Sequence, residues 1–223
     1  FHACGYSFGI TQAGGIGHYL AGWMMNGEPE IDLWPVDSRR YGSYANWAYN
    51  HEKIEDTYPR LYAIICPNDW RDAARPNRTA PIYEYQKQAG AVFGDYYGWE
   101  CPNYFVDNPE ANRENPGWKR NNTFDIVDAE CKHVMEHAGL LDLSRFAKTR
   151  VTGPGADAWL NKMTCQKVPT KDGRIALAPM LDNQGNFKSD MTITKIKEGE
   201  YFCVTASVGK RHDQHWLMEN LPS

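Results

Sequence analysis

Arg174-Ile175-Ala176-Leu177-Ala178-Pro179-Met180-Leu181 and Phe187-Lys188-Ser189-Asp190-Met191-Thr192-Ile193-Thr194-Lys195-Ile196 are two apolar-rich runs of strand character. Asp182-Asn183-Gln184-Gly185 between them is a turn signal. The pattern predicts a β-hairpin over residues 174–196, and a third strand over 200–205 follows the turn Lys197-Glu198-Gly199. Upstream, residues 147–152 read as a strand, and Gly153-Pro154 suits a helix start. Ala156, Trp159, Leu160 and Met163 then form one helical stripe. A helix over 125–137 precedes this group, and another over 211–221, with Trp216 and Leu217 on its apolar face, follows it. Residues 123–223 therefore read as an α+β unit built on hairpins.

Outward from that unit, residues 38–122 are rich in Pro, Tyr, Trp and Asn. A helix over 44–57, a strand over 60–65 with Leu61, Ala63 and Ile65 alternating, and a helix over 82–88 are expected there. Pro67, Pro76 and Pro81 mark the loops. Residues 1–37 read as strand, glycine-rich turn and helix: Phe1-His2-Ala3-Cys4 looks like the end of a buried strand. Gly5, Gly9, Gly14, Gly15 and Gly17 follow, and Asn26-Gly27 closes a helix carrying Ile16, Tyr19, Leu20, Trp23 and Met24. Glycines at a helix start let a ligand approach the backbone, and the free N–H groups there favour an anionic or electron-rich group. The same glycines serve ordinary packing, and Leu20 stands where a dinucleotide fingerprint wants Gly or Ala.

The chain has 223 residues, 42% of them hydrophobic, and a formal charge of -4. It carries no basic field for nucleic acid or anionic membrane and no apolar run long enough to span a bilayer. Its six cysteines are scattered, without a CxxC pair, and read as reduced and intracellular. The first residue is Phe, and the carboxyl end looks like a domain in mid-course, so the chain is expected to be an internal fragment.

Asp190 is the carboxylate of most interest, since it sits between apolar residues of a strand and so calls for a reason. The plain alternative is an exposed Asp near a strand start. His133-Val134-Met135-Glu136-His137 matches H-x-x-E-H, the inverted zinc-protease pattern, with two imidazoles one helical turn apart. Five residues meet that pattern by chance, and the string that follows is unrelated to proteolysis, so solvent-facing histidines are expected and no metal site. His212 and His215 read as surface or packing residues. Asn77-Arg78-Thr79 and Asn121-Asn122-Thr123 fit the glycosylation sequon, which has meaning only in a secreted chain.

Three successive groups of strings resemble the dimethylglycine and sarcosine dehydrogenase family. Ala3-Cys4-Gly5-Tyr6-Ser7-Phe8-Gly9-Ile10, Ala13-Gly14-Gly15-Ile16-Gly17 and Ile31-Asp32-Leu33-Trp34-Pro35-Val36-Asp37 resemble the close of its FAD domain. Arg78-Thr79-Ala80-Pro81-Ile82-Tyr83 and Gly98-Trp99-Glu100-Cys101-Pro102-Asn103 resemble its central domain, with Cys101 where arginine is usual. Leu141-Asp142-Leu143-Ser144, Val151-Thr152-Gly153-Pro154, Pro179-Met180-Leu181, Ser189-Asp190-Met191 and His212-Asp213 resemble the folate-binding domain of glycine-cleavage aminomethyltransferases.

The resemblance implies an α+β chain in three parts. Residues 1–37 would end an FAD-binding α/β domain, 38–122 would form a central linker domain, and 123–223 would begin an aminomethyltransferase-like domain. It implies FAD contacts at Gly5, Gly9, Ile10, Gly14 and Gly15, with the helix start aimed at the flavin pyrimidine carbonyl. It also implies a general acid or base toward a tetrahydrofolate nitrogen at Asp190, the first Asp of the family string being Ser189 here. The implied activity is oxidation of an N-methylated amine, with oxygen or an electron-transfer flavoprotein as acceptor and the one-carbon product passed to tetrahydrofolate. The implied compartment is the cytoplasm, or the mitochondrial matrix in a eukaryote. A folate-dependent aminomethyltransferase and a non-catalytic regulatory homologue of the same architecture are the alternatives.

Overall fold

A computed structural model describes residues 1–5 and 8–222, which divide into two compact units, Phe1–Tyr41 and Gly42–Ser223. Tyr6 and Ser7, within the string assigned to the flavin side, lie outside the described residues.

The first unit is built on helix α1 (Gly9–Asn26), followed by 3-10 turns at Trp34–Val36 and Ser38–Arg40. Gly27, at φ 81°, ends α1 by donating its N–H to the Trp23 carbonyl at 2.9 Å, as Asn26-Gly27 predicted. Two expectations differ here. Phe1 to Cys4 is not strand but exposed coil, because no neighbour among the described residues pairs with its backbone. Gly14, Gly15 and Gly17 belong to the helix and not to a turn, since α1 begins at Gly9.

The second unit begins with α2 (Trp47–Thr57), where the Asn46 side chain accepts the Tyr49 N–H at 3.0 Å as N-cap. The strand expected over 60–65 is absent: a 3-10 turn, Tyr58–Arg60, leads into hydrogen-bonded turns from Leu61 to Tyr58 and from Ala63 to Arg60. Local bonds take up the backbone groups that a sheet would need, and Ile64 and Ile65 stay exposed. Helix α3 (Tyr83–Gln88) follows, and then a hairpin of β1 (Ala91–Tyr96) and β2 (Trp99–Phe105) that the sequence reading missed. Its two-residue turn places Tyr97 at φ 55° and Gly98 at φ 80°, and the Asp95 carboxylate accepts the Gly98 N–H at 2.8 Å.

Helix α4 (Phe124–Glu136) precedes β3 (Ala147–Thr152) and α5 (Ala156–Met163). Pro154 lies just ahead of α5, whose N-cap is Gly155 at φ 78°. Strands β4 (Ile175–Leu181), β5 (Phe187–Lys197) and β6 (Glu200–Thr205) and helix α6 (Lys210–Glu219) complete the unit. The four strands form one antiparallel sheet in the order β3-β6-β5-β4. This is the mixed helix-and-sheet architecture expected.

One face of that sheet is the core. Met180, Met191, Ile193, Tyr201 and Cys203 from the strands pack with Leu160 and Met163 of α5 and Leu217 of α6. Because strand side chains alternate, the neighbouring residues Ile175, Leu177, Asp190, Thr192 and Phe202 face the other way and are exposed. No helix among the described residues is long and apolar enough to cross a membrane.

Candidate functional site

Asp190 lies on β5 opposite Pro179 of β4. Its neighbours in sequence, Ser189 and Met191, point to the core side, and Met191 is 1% exposed. The expectation that Asp190 is carried on a buried apolar face is therefore corrected by the period-2 alternation: the carboxylate is exposed on the opposite face. That face is nevertheless apolar around it. Leu177 is 60% exposed, Ile175 65% and Phe187 64%, and Thr192, opposite Leu177, continues the row from Asp190. Among the described residues the Asp190 carboxylate has no hydrogen-bond or ion-pair partner. An acidic group inside an open apolar wall can accept or donate a proton to a flat, partly apolar ligand laid on it.

The β4–β5 turn that presents this face is held by its own aspartate. Asp182 accepts the N–H groups of Gln184 at 2.9 Å and Asn186 at 2.8 Å, with Gly185 at φ 85°. Burial alone would push the Asp182 carboxyl up, but these bonds and the Asn186 side chain hold it below its usual range.

Upstream, the Leu141-Asp142-Leu143-Ser144 loop is pinned from two sides. Asp142 accepts the Ser144 N–H at 2.8 Å and the Gln86 amide at 3.1 Å. The Lys148 ammonium donates to the carbonyls of Leu143, Ser144 and Phe146 at 2.7, 2.9 and 2.8 Å. Leu140, Leu141 and Leu143 remain exposed. Sequence reasoning quoted the loop but had no signal for its clasp by Lys148.

In the first unit, Gly9 and Ile10 form the first turn of α1, with Ile10 96% exposed, and Gly14 and Gly15 lie one turn further on. Among the described residues, a Cβ at Gly5, Gly9, Gly14 or Gly15 would meet nothing within 4 Å. Phe8 stands at the N-cap of α1 and supplies no side-chain cap, a phenyl ring having no acceptor for the first N–H groups. The glycine positions and Asp190 belong to different units.

His133 and His137 are exposed, as expected, and His212, read as a surface or packing residue, is buried with its Nδ1 3.1 Å from Asp213 Oδ1. Among the described residues no three His, Cys, Asp or Glu side chains converge as a metal site. Cys101 is buried; its surroundings raise its thiol pKa, with the Arg145 guanidinium opposing that shift.

Residues 26–80 match the FAD dependent oxidoreductase central domain family, and residues 82–223 match the GCVT N-terminal domain family. The mitochondrial dimethylglycine dehydrogenase of Mus musculus is 31% identical over 218 residues, covering 97% of this chain and 25% of that protein. The mitochondrial pyruvate dehydrogenase phosphatase regulatory subunit of Mus musculus is 28% identical over 97% of this chain and 25% of that protein. The chain thus spans about a quarter of the length of these relatives. In fold, the glycine cleavage system aminomethyltransferase T of Bartonella henselae superposes with a TM-score of 0.53 at 24% identity, over 64% of this chain and 35% of that one. With its match running over residues 82–223, more than half of its length, the chain belongs to the GCVT N-terminal domain family.

Proposed function

We propose that this chain is part of a flavin-dependent dehydrogenase or oxidase of N-methylated amines that passes the one-carbon product to tetrahydrofolate. The observation that carries the reading is the succession of the two matched families in one polypeptide, 26–80 and then 82–223. We divide the parent's share here as 1–37 at the close of the flavin domain, 38–122 as linker and 123–223 as the opening of the folate domain.

FAD, when bound, supplies the two-electron acceptor for the amine C–H bond. Toward it, the glycine backbone of Gly9 and the start of α1 offer the positive end of a helix, which favours negative charge. Gly5 and Gly9 flank that end and Gly14 and Gly15 lie further along the helix; among the described residues none has a neighbour that a Cβ would meet, which suits the approach of a flat ring. Toward tetrahydrofolate, Asp190 holds an unpaired carboxylate on an apolar strand face, where it takes or returns a proton at a folate nitrogen while the one-carbon unit is captured. Oxygen or an electron-transfer flavoprotein completes the redox cycle, in the cytoplasm or, in a eukaryote, the mitochondrial matrix.

The likeness to a regulatory subunit over the same 97% of the chain supports a second reading, a non-catalytic homologue of equal architecture. Anaerobic addition of sarcosine or dimethylglycine to the flavin-loaded parent separates the two. Bleaching of the flavin absorbance is the expected result, and a spectrum that stays oxidised with every N-methylated amine refutes the enzyme reading.

A further inference from the structure

The pair of imidazoles at the end of α4 is not used by the function proposed above. His133 lies in the last turn of the helix and His137 is its C-cap, and the His137 N–H donates to the His133 carbonyl at 2.8 Å. The turn between them is therefore closed, and both side chains leave it on the same side. Their ring centroids stand 4.8 Å apart with planes inclined by 42°. Both are exposed, and among the described residues neither has an ion-pair partner.

That separation has a chemical meaning. An imidazole nitrogen binds a divalent transition ion at ~2.0–2.1 Å, which puts the ring centre ~3.2 Å from the ion. Two rings on adjacent coordination positions, ~90–110° apart, then have centres ~4.5–5.2 Å from one another. The observed 4.8 Å falls inside this interval without any movement of the backbone. The site also lies at the negative end of the helix, where a cation is favoured. Two neutral nitrogen donors with open water positions suit borderline ions such as Ni2+, Cu2+ and Zn2+, and offer nothing to Mg2+ or Ca2+, which want oxygen.

We infer that His133 and His137 form a two-point chelating site for a borderline divalent transition ion, which clips the last turn of α4 to the residue that caps it. Among the described residues the site has no third protein ligand, so it binds an ion reversibly. It rests on α4 alone and is independent of the flavin and folate reading.

The test is the nuclear magnetic resonance of the histidine rings in the 223-residue chain during titration with Ni2+, whose paramagnetism broadens the nearest nuclei. His133 and His137 broaden together, at lower Ni2+ than the exposed His51. In His133→Gln, the Ni2+ concentration that broadens His137 rises by about tenfold or more, since the chelate has become a single donor. His137→Gln does the same to His133. Both side chains stand in solvent, so Gln leaves the fold unchanged, and circular dichroism checks this. If His137 broadens at the same Ni2+ concentration with and without His133, or if the pair is no more sensitive than His51, the chelate does not exist.

Discussion

Arg75 and Glu100, in segments 25 residues apart, meet in a two-pronged ion pair: Arg75 Nε donates to Glu100 Oε1 at 2.9 Å and Nη2 to Oε2 at 2.7 Å. The arginine also donates to the Phe93 carbonyl at 2.9 Å, and the two side chains are only 12% and 4% exposed. Bonding to Glu100 raises the guanidinium pKa even though burial works against it. Arg75 lies in the stretch matched to the oxidoreductase central domain family and Glu100 in the stretch matched to the GCVT family, and the pair braces the segment 38–122 from within.

Removing one half of such a pair strands the other charge in the interior. Arg75→Ala is predicted to destabilise the chain by about 3–5 kcal/mol. Urea unfolding measures the loss, and a change below about 1 kcal/mol, as for an exposed pair, contradicts it.

The core prediction concerns Leu160, which is 0% exposed between α5 and the sheet. Leu160→Ala should cost about 2–5 kcal/mol, because the methyl groups removed leave a cavity that the surrounding strands do not refill. Exposed Leu140→Ala serves as the control and should change little.

Thiol chemistry should sort the cysteines by burial. Burial pushes the Cys203 thiol up to about 12, so almost no thiolate forms there near neutral pH, while Cys4, Cys131 and Cys165 are exposed. Iodoacetamide followed by peptide mass analysis should modify those three in the folded chain, and Cys203 only after unfolding. Modification of Cys203 at the rate of Cys131 is the contrary result.

Acid should loosen the loop that Asp142 holds. Burial alone would push this carboxyl up; the bonds from Ser144 and Gln86 and the charge of Lys148 overcome that and hold it below its usual value. Its pKa is thus lower folded than unfolded, so its contribution to stability is fully present above the ordinary carboxylate value and disappears as pH falls through the lowered one. Asp142→Asn should remove that part of the acid dependence of the urea midpoint. A mutant whose midpoint falls with acid as steeply as that of the unmodified chain would show that Asp142 contributes none of it.

The carboxyl-half strands and helices were legible because their patterns are clear: β6 and β3 fall on the residues expected, and β4 and β5 within one residue. Hairpin β1–β2 was not, since Tyr97 occupies a positive-φ turn position where Asn, Asp or Gly is the usual signal. Alternation at Leu61, Ala63 and Ile65 suggested a strand, but a strand also needs a partner, which one segment's sequence does not reveal. The Arg75–Glu100 pair joins segments far apart in sequence and has no local pattern, and the Lys148 clasp, though local, depends on a lysine side chain turning back onto carbonyls, which no spacing rule announces. The face that Asp190 occupies follows from counting by twos from Met191 and Ile193, a step that places it away from the core.

The most direct test is the fate of the one-carbon unit in a flavin-loaded enzyme that contains this chain, compared with its Asp190→Ala variant. The amine is supplied with tetrahydrofolate, and methylenetetrahydrofolate and formaldehyde are both measured. The account predicts unchanged flavin reduction in the variant, with the product shifted from the folate adduct to free formaldehyde by about tenfold or more, the range of a lost acid–base group. Equal folate adduct in both proteins would contradict it.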